Sequence, residues 1–192
     1  MGALILGLLL FLGMHSVRIA ADGWRGQVIS QRGAGAWKGL YTVVSLVGFG
    51  LILWGYGQAR LAPQVLWPSP AWTRHLAGLL MLVSLVLLVA AYVPRNSIKA
   101  AVHHPMVLGV KVWAFAHLLA NNTVADGLLF GSFLVWAVLD FRSARQRDRA
   151  GAVRYAAGTL PATLLTVVVG TALWAALAFW AHLQLFGVRP FG

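Results

Sequence analysis

Six apolar runs succeed one another along the chain, at 2–21, 37–56, 72–93, 105–119, 124–141 and 161–186, each closed by a short polar or basic stretch. A span of about 20 apolar residues is what a helix needs to cross the hydrocarbon of a bilayer. Inside hydrocarbon every main-chain N–H and C=O must pair within the protein, so open sheets and lipid-exposed loops are excluded there. The expected architecture is therefore all-α: a polytopic transmembrane bundle of about six helices, one domain over residues 1–192. The run at 105–119 is the shortest, and Pro105 suits the first turn of a helix.

Composition agrees. Hydrophobic residues make up 60% of the 192 and charged ones only 10%, with a mean hydropathy of +0.78. A soluble domain of this size needs more polar surface. The first run is not read as a cleaved signal, because no Lys or Arg precedes its apolar core while Arg18, Arg25 and Arg32 follow it.

A formal charge of +11 raises the question of nucleic acid. Position answers it: Arg25, Arg32, Lys38, Arg95, Lys99 and the basic run from Arg142 to Arg154 all follow odd-numbered spans, whereas the opposite loops hold Arg60, Arg74 and Arg189. That asymmetry is a topology signal, placing the basic loops in the cytoplasm and both termini outside, with the lipid bilayer as partner and no nucleic acid. Tryptophans 24, 37, 54, 67, 72 and 180 fall near span ends, as an interfacial belt requires.

The absent chemistry narrows function further. Without cysteine there is no disulfide, thiolate metal site, iron–sulfur cluster or covalently attached c-type haem. The acids are Asp22, Asp126, Asp140 and Asp148, with no glutamate, too few for a carboxylate proton relay. No internal repeat supports an inverted-repeat transporter.

What remains concentrates in residues 103–142, which read as two apolar helices joined by Asn121-Asn122-Thr123. Intramembrane ionisable groups mark function or a bundle interior, and this stretch holds His103, His104, His117, Lys111 and Asp140. At 100° and 1.5 Å per residue, Trp113, His117 and Asn121 share a face, while His104 lies nearly opposite and about 20 Å lower. One straight helix cannot bring both histidines to one metal ion. A partner for His117 must come from another helix, and His15, with Arg18 one turn on, offers it.

Two imidazoles on separate helices suit the axial positions of a b-type haem, with Arg18 for a propionate and Trp113, Phe115 and Phe130 as walls. Equally, each imidazole can be a hydrogen-bonding group at a helix interface. Spacing leaves both readings open. Lys111 and Asp140 are expected to form a structural ion pair across the hairpin, with Lys111 reaching a haem propionate or snorkelling to water as the other outcomes. Gly127 and Gly131 form a GxxxG, and Gly48, Gly50, Gly55 and Gly57 recur in the second span, all suited to close backbone approach.

The pattern His104-Pro105, Gly109, Trp113, Ala116-His117-Leu118-Leu119, Asn121, Leu129-Phe130-Gly131, Phe133-Leu134, Trp136-Ala137 and Asp140 resembles the NnrU family of polytopic membrane proteins. His15 followed by Arg18, residues 41–48 (YTVVSLVG) and Trp54-Gly55-Tyr56 fit the same pattern, so the resemblance spans nearly the whole chain. Asn122, where the family favours glycine, and the extra His103 depart from it. The family includes proteins associated with denitrification and, as relatives, the 15-cis-ζ-carotene isomerases, haem b proteins that isomerise a polyene double bond in a redox-dependent way. The resemblance implies haem b bound by His15 and His117, with Arg18, His104 and Trp113 also at the cofactor. It further implies redox chemistry or cis–trans isomerisation acting on an isoprenoid or quinone-like ligand. The other class of function it implies is a non-enzymatic accessory to nitrogen-oxide respiration.

Overall fold

A computed structural model describes residues 1–191. Its helices are α1 (Gly2–Ala20), α2 (Asp22–Ala59), α3 (Trp72–Tyr92), α4 (Ser97–Val102), α5 (Pro105–Ala120), α6 (Val124–Ala150), α7 (Leu160–Ala176) and α8 (His182–Phe186). A π-turn at Leu177–Ala181 makes α7 and α8 one continuous rod. Five helices are long and apolar enough to span a membrane, and the sixth apolar one, α5, has 16 residues. That is about 24 Å, short of the ~30 Å hydrocarbon layer. The protein is an all-α bundle of membrane-spanning type, with no strand among the described residues. Large apolar side chains such as Val43, Leu46 and Val168 are well over half exposed, as lipid-facing positions are.

Each end of the bundle has a chemical cause. Pro105 opens α5 at a position where its missing N–H costs nothing. Thr123 and Asp126 form a reciprocal capping box at the start of α6. Asn96 is buried and joins α3 to α4: its Nδ2 donates to the carbonyls of Ala90 and Val93, and its Oδ1 accepts from the Lys99 amide. These bonds satisfy groups that helix termini otherwise leave unpaired. α2 begins earlier than the apolar pattern indicates, because a polar helical stretch from Asp22 leads into Gly33. There the chain turns at φ 82°, ψ 158°, a conformation glycine permits, and then enters the membrane span.

The helices pack in the lateral order α2, α1, α6, α5, α3, α7. Glycine sets the tightest seam, between α1 and α2. A Cβ on Gly7 would fall 2.6 Å from the Ile52 amide nitrogen, and one on Gly48 would fall 2.7 Å from that of Phe11. Gly55 closes on Leu4 in the same way. Gly50 and Gly57 meet nothing, so only half of the expected glycine seam is used. The GxxxG of α6 is not a helix contact either: Gly131 faces open space and Gly127 meets only a Leu66 methyl. A seam that the sequence does not single out runs along α3, where Gly170 of α7 lies against Val86 and Gly109 of α5 against Ser84 and Leu88.

The core joins Leu4 and Leu8 of α1, Ile52 of α2, Ala114 of α5, and Ala125, Leu129 and Phe130 of α6. At the end holding the α5–α6 turn, the 61–71 loop docks on that turn. Leu66 N donates to Asn122 O at 2.8 Å and Val124 N to Gln64 O at 2.9 Å.

Candidate functional site

The α5–α6 hairpin brings Trp113 onto Phe130 and Phe133, with ring centroids 5.1 and 5.4 Å apart, and stacks His117 on Phe130 at 4.6 Å. From the other side, α1 lays Phe11 against Phe133 at 5.8 Å and His15 against Trp136 at 5.9 Å. α1 thus runs parallel to α6, and α5 antiparallel to it. His15 neighbours Trp136 and His117 neighbours Phe130, six residues apart on α6, so the two imidazoles differ in depth by about 9 Å.

Hydrogen bonds fix the orientation of both rings. His15 Nδ1 bonds the Phe11 carbonyl at 2.7 Å, and His117 Nδ1 bonds the Trp113 carbonyl at 2.9 Å. A carbonyl is only an acceptor, so each Nδ1 carries the proton and each Nε2 keeps its lone pair. Both bonds pull the ring toward its own helix's N-terminus. Because α1 and α5 are antiparallel, the two rings lean toward each other. A hydrogen bond fixing one ring nitrogen while the other stays basic is the usual preparation of a histidine ligand. No acceptor or donor engages either Nε2 among the described residues. Each histidine therefore keeps one unprotonated ring nitrogen, the chemical type that ligates haem iron. No group of three or more His, Cys, Asp or Glu side chains placed to hold one metal ion occurs among the described residues.

The remaining expected site residues divide. Trp113 is in the aromatic wall, but Phe115 is not: it is 47% exposed and points away from the core. Arg18 lies within electrostatic reach of Asp140, at the end of the bundle that bears the basic run. His104 stands apart from the interior, with its Nε2 2.8 Å from Asp148 Oδ2. His182 is closer to the interior than its place near a span end indicates, since it lies within electrostatic reach of His117.

The expected Lys111–Asp140 ion pair does not form. Measured from the hairpin turn, Asp140 lies about seven residues, or about 10 Å, farther along than Lys111. Lys111 instead places its ammonium 5.3 Å from the Phe141 ring centroid, and Asp140 approaches Arg147 at 3.9 Å. Tyr56 and Asp126, which no spacing rule connects, are bonded at 2.5 Å.

Beside His15, a groove of about 570 Å³ opens between α1 and α6. Leu8, Leu12, Gly13, Leu128, Gly131 and Trp136 are among its lining residues. The GxxxG glycine therefore shapes a groove wall rather than a helix seam. Trp136 both lines the groove and meets the edge of His15, and its buried indole N–H has no acceptor among the described residues.

Comparison with known sequences places this architecture. The sequence model of the family described as NnrU protein matches residues 3–190, nearly the whole chain. The chain belongs to the NnrU family. No curated protein matches it, and no solved structure does. This NnrU-family chain is a membrane protein by its apolar helices.

Proposed function

We propose that the protein binds haem b between α1 and α5, with His15 and His117 as axial ligands, in a bacterial inner membrane with both termini outside and the basic loops in the cytoplasm. One observation carries this reading: two imidazoles on antiparallel helices, each held by an Nδ1–carbonyl bond, lean toward one another with both Nε2 lone pairs unused. Bound haem supplies one-electron redox chemistry and, where an axial position can open, a ferrous iron for isomerising a polyene double bond.

The chain's own residues divide the remaining work. The backbone bonds fix both tautomers and raise ligand basicity. Arg18, one turn beyond His15, is placed for a propionate. Trp113, Phe130 and Phe133 would give flat apolar walls. The α1–α6 groove admits an apolar chain from the bilayer, which supports an isoprenoid or quinone-like partner. Trp136 stands between that partner and His15.

Absorption spectra of protein purified after haem supplementation test the proposal. Wild type should show a Soret band, and His15→Ala and His117→Ala should each shift or abolish it, whereas His104→Ala should not. A wild-type protein that folds and stays colourless would refute haem binding. A band lost in His182→Ala and retained in His15→Ala would move the second ligand to His182. Coexpression with a pathway accumulating a cis-polyene then separates isomerase from electron carrier, because only the former changes the product.

A further inference from the structure

At the opposite end of α5 from His117, the chain builds a second concave site that owes nothing to haem. A pocket of about 320 Å³ lies between the start of α5 and the end of α6, lined by His103, Arg145, Asp148, Arg149, Val153 and Arg154, with Ala152 at its edge. Three guanidinium groups therefore face a single carboxylate.

That carboxylate is already engaged. Asp148 Oδ2 accepts from Tyr155 Oη at 3.1 Å and meets His104 Nε2 at 2.8 Å. His103 stacks on Tyr155 with centroids 4.2 Å apart, and its Nδ1 accepts from Arg145 Nη1. Arg145 is thus held by a neutral acceptor, and among the described residues no carboxylate pairs with Arg145, Arg149 or Arg154. Arg147, one residue before Asp148, shows the alternative: it reaches Ser143 and Asp140 and stays out of the pocket.

Backbone strain marks the same place. Arg95, His103 and Ala152 are the non-glycine residues at positive φ among the described residues. Two of these, His103 at 69° and Ala152 at 47°, line the pocket. Such conformations are unfavourable for residues with a Cβ and persist where the surroundings enforce them. The positive-inside rule asks only that arginine be present on this side. It does not ask that three converge on one cavity with no carboxylate paired to any of them, with the chain bent to form the rim.

We propose that this pocket binds a phosphate-bearing anion, with Arg149 and Arg154 as the open forks and Arg145, steadied by His103, as the third. Planar guanidinium groups match phosphate oxygens in pairs. Depth bears on the source. The apolar part of α6 ends at Phe141, and Arg149 lies eight residues farther, about 12 Å beyond it. The headgroup layer is only about 5–7 Å thick on each side. The pocket therefore faces solvent past the headgroups, and a soluble diphosphate-type anion fits it better than a lipid.

The test uses the full-length protein in uncharged detergent, with inorganic pyrophosphate as probe in calorimetric titration. The double variant R149K/R154K keeps net charge and topology signal while removing the forks, and both side chains are exposed, so folding is preserved. Wild type should bind saturably, and the lysine variant should bind at least about tenfold more weakly. In a second arm, short-chain phosphatidylglycerol competes. Displacement of pyrophosphate assigns the site to headgroup phosphate, and failure to displace assigns it to a soluble anion; both outcomes uphold a phosphate site. Absence of saturable binding by either probe, or equal binding to wild type and R149K/R154K, overturns it.

Discussion

The phenol of Tyr56 donates to Asp126 Oδ1 at 2.5 Å, tying the C-terminal end of α2 to the first turn of α6. The other carboxylate oxygen accepts from the Thr123 amide at 2.9 Å and the Thr123 hydroxyl at 2.6 Å. Asp126 is buried, so each of these bonds counts toward keeping a desolvated carboxylate satisfied. Tyr56→Phe should lose about 1.5–3 kcal/mol, the range for a bond to a charged acceptor. Denaturation of the purified protein in detergent measures it. Asp126→Ala should lose more, because it removes the helix cap as well. A Tyr56→Phe protein as stable as wild type would show that the bond contributes nothing net.

The glycine contacts give a paired prediction. Gly7→Ala forces a methyl group against the Ile52 amide nitrogen, where backbone cannot give way cheaply, and overpacking of this kind costs about 1–3 kcal/mol or more. Gly131→Ala meets open space and should leave stability nearly unchanged, while narrowing the α1–α6 groove. Melting temperatures of the two variants should separate clearly. A shared large loss would mean that Gly131 has a helix neighbour after all.

Lys111 and Asp140 should behave independently. Lys111→Met loses a cation–ring contact of about 0.5–1 kcal/mol and replaces it with apolar packing. In a double-mutant cycle with Asp140→Asn, the two effects should add. A coupling energy above about 1 kcal/mol would restore the direct ion pair.

A pH effect follows from Tyr155. Desolvation, and then donation to the Asp148 carboxylate, hold its phenol above the ordinary value of 10.0. The folded protein therefore keeps a proton that the unfolded chain releases. The stabilisation is whole below that value and is lost as pH rises through the raised folded one. Melting temperature followed from about pH 8 to about pH 11 should fall more steeply for wild type than for Tyr155→Phe. Parallel curves would show that the phenol does not titrate with folding.

Much of this was readable from residue order. Hydrophobic run length locates the spans, and the helix starts at Pro105 and Thr123 follow from local chemistry. Placing His117 in the interior needed only helical periodicity. What escaped depends on distances between helices. The stagger of about seven residues between Lys111 and Asp140 is countable about the turn, but that Lys111 settles over the Phe141 ring instead is not. GxxxG spacing gives a smooth face but not what lies opposite it, so Gly131 lines a groove while Gly7, with no motif around it, carries a seam. The polar helical stretch before Gly33 is invisible to an apolar-run criterion. His104 finds Asp148 only because α6 continues well past the end of its apolar part.

The two main-chain bonds between the 61–71 loop and the α5–α6 turn have a consequence for how water reaches the interior. His117 lies one turn below Asn121, under the segment that Gln64 and Leu66 fasten down. Solvent arriving from that side must first part a miniature two-rung ladder whose halves come from distant parts of the chain. The amide protons of Leu66 and Val124 should accordingly outlast those of their loop neighbours in deuterium exchange. Water that approaches the His117 imidazole from this end does so past that latch.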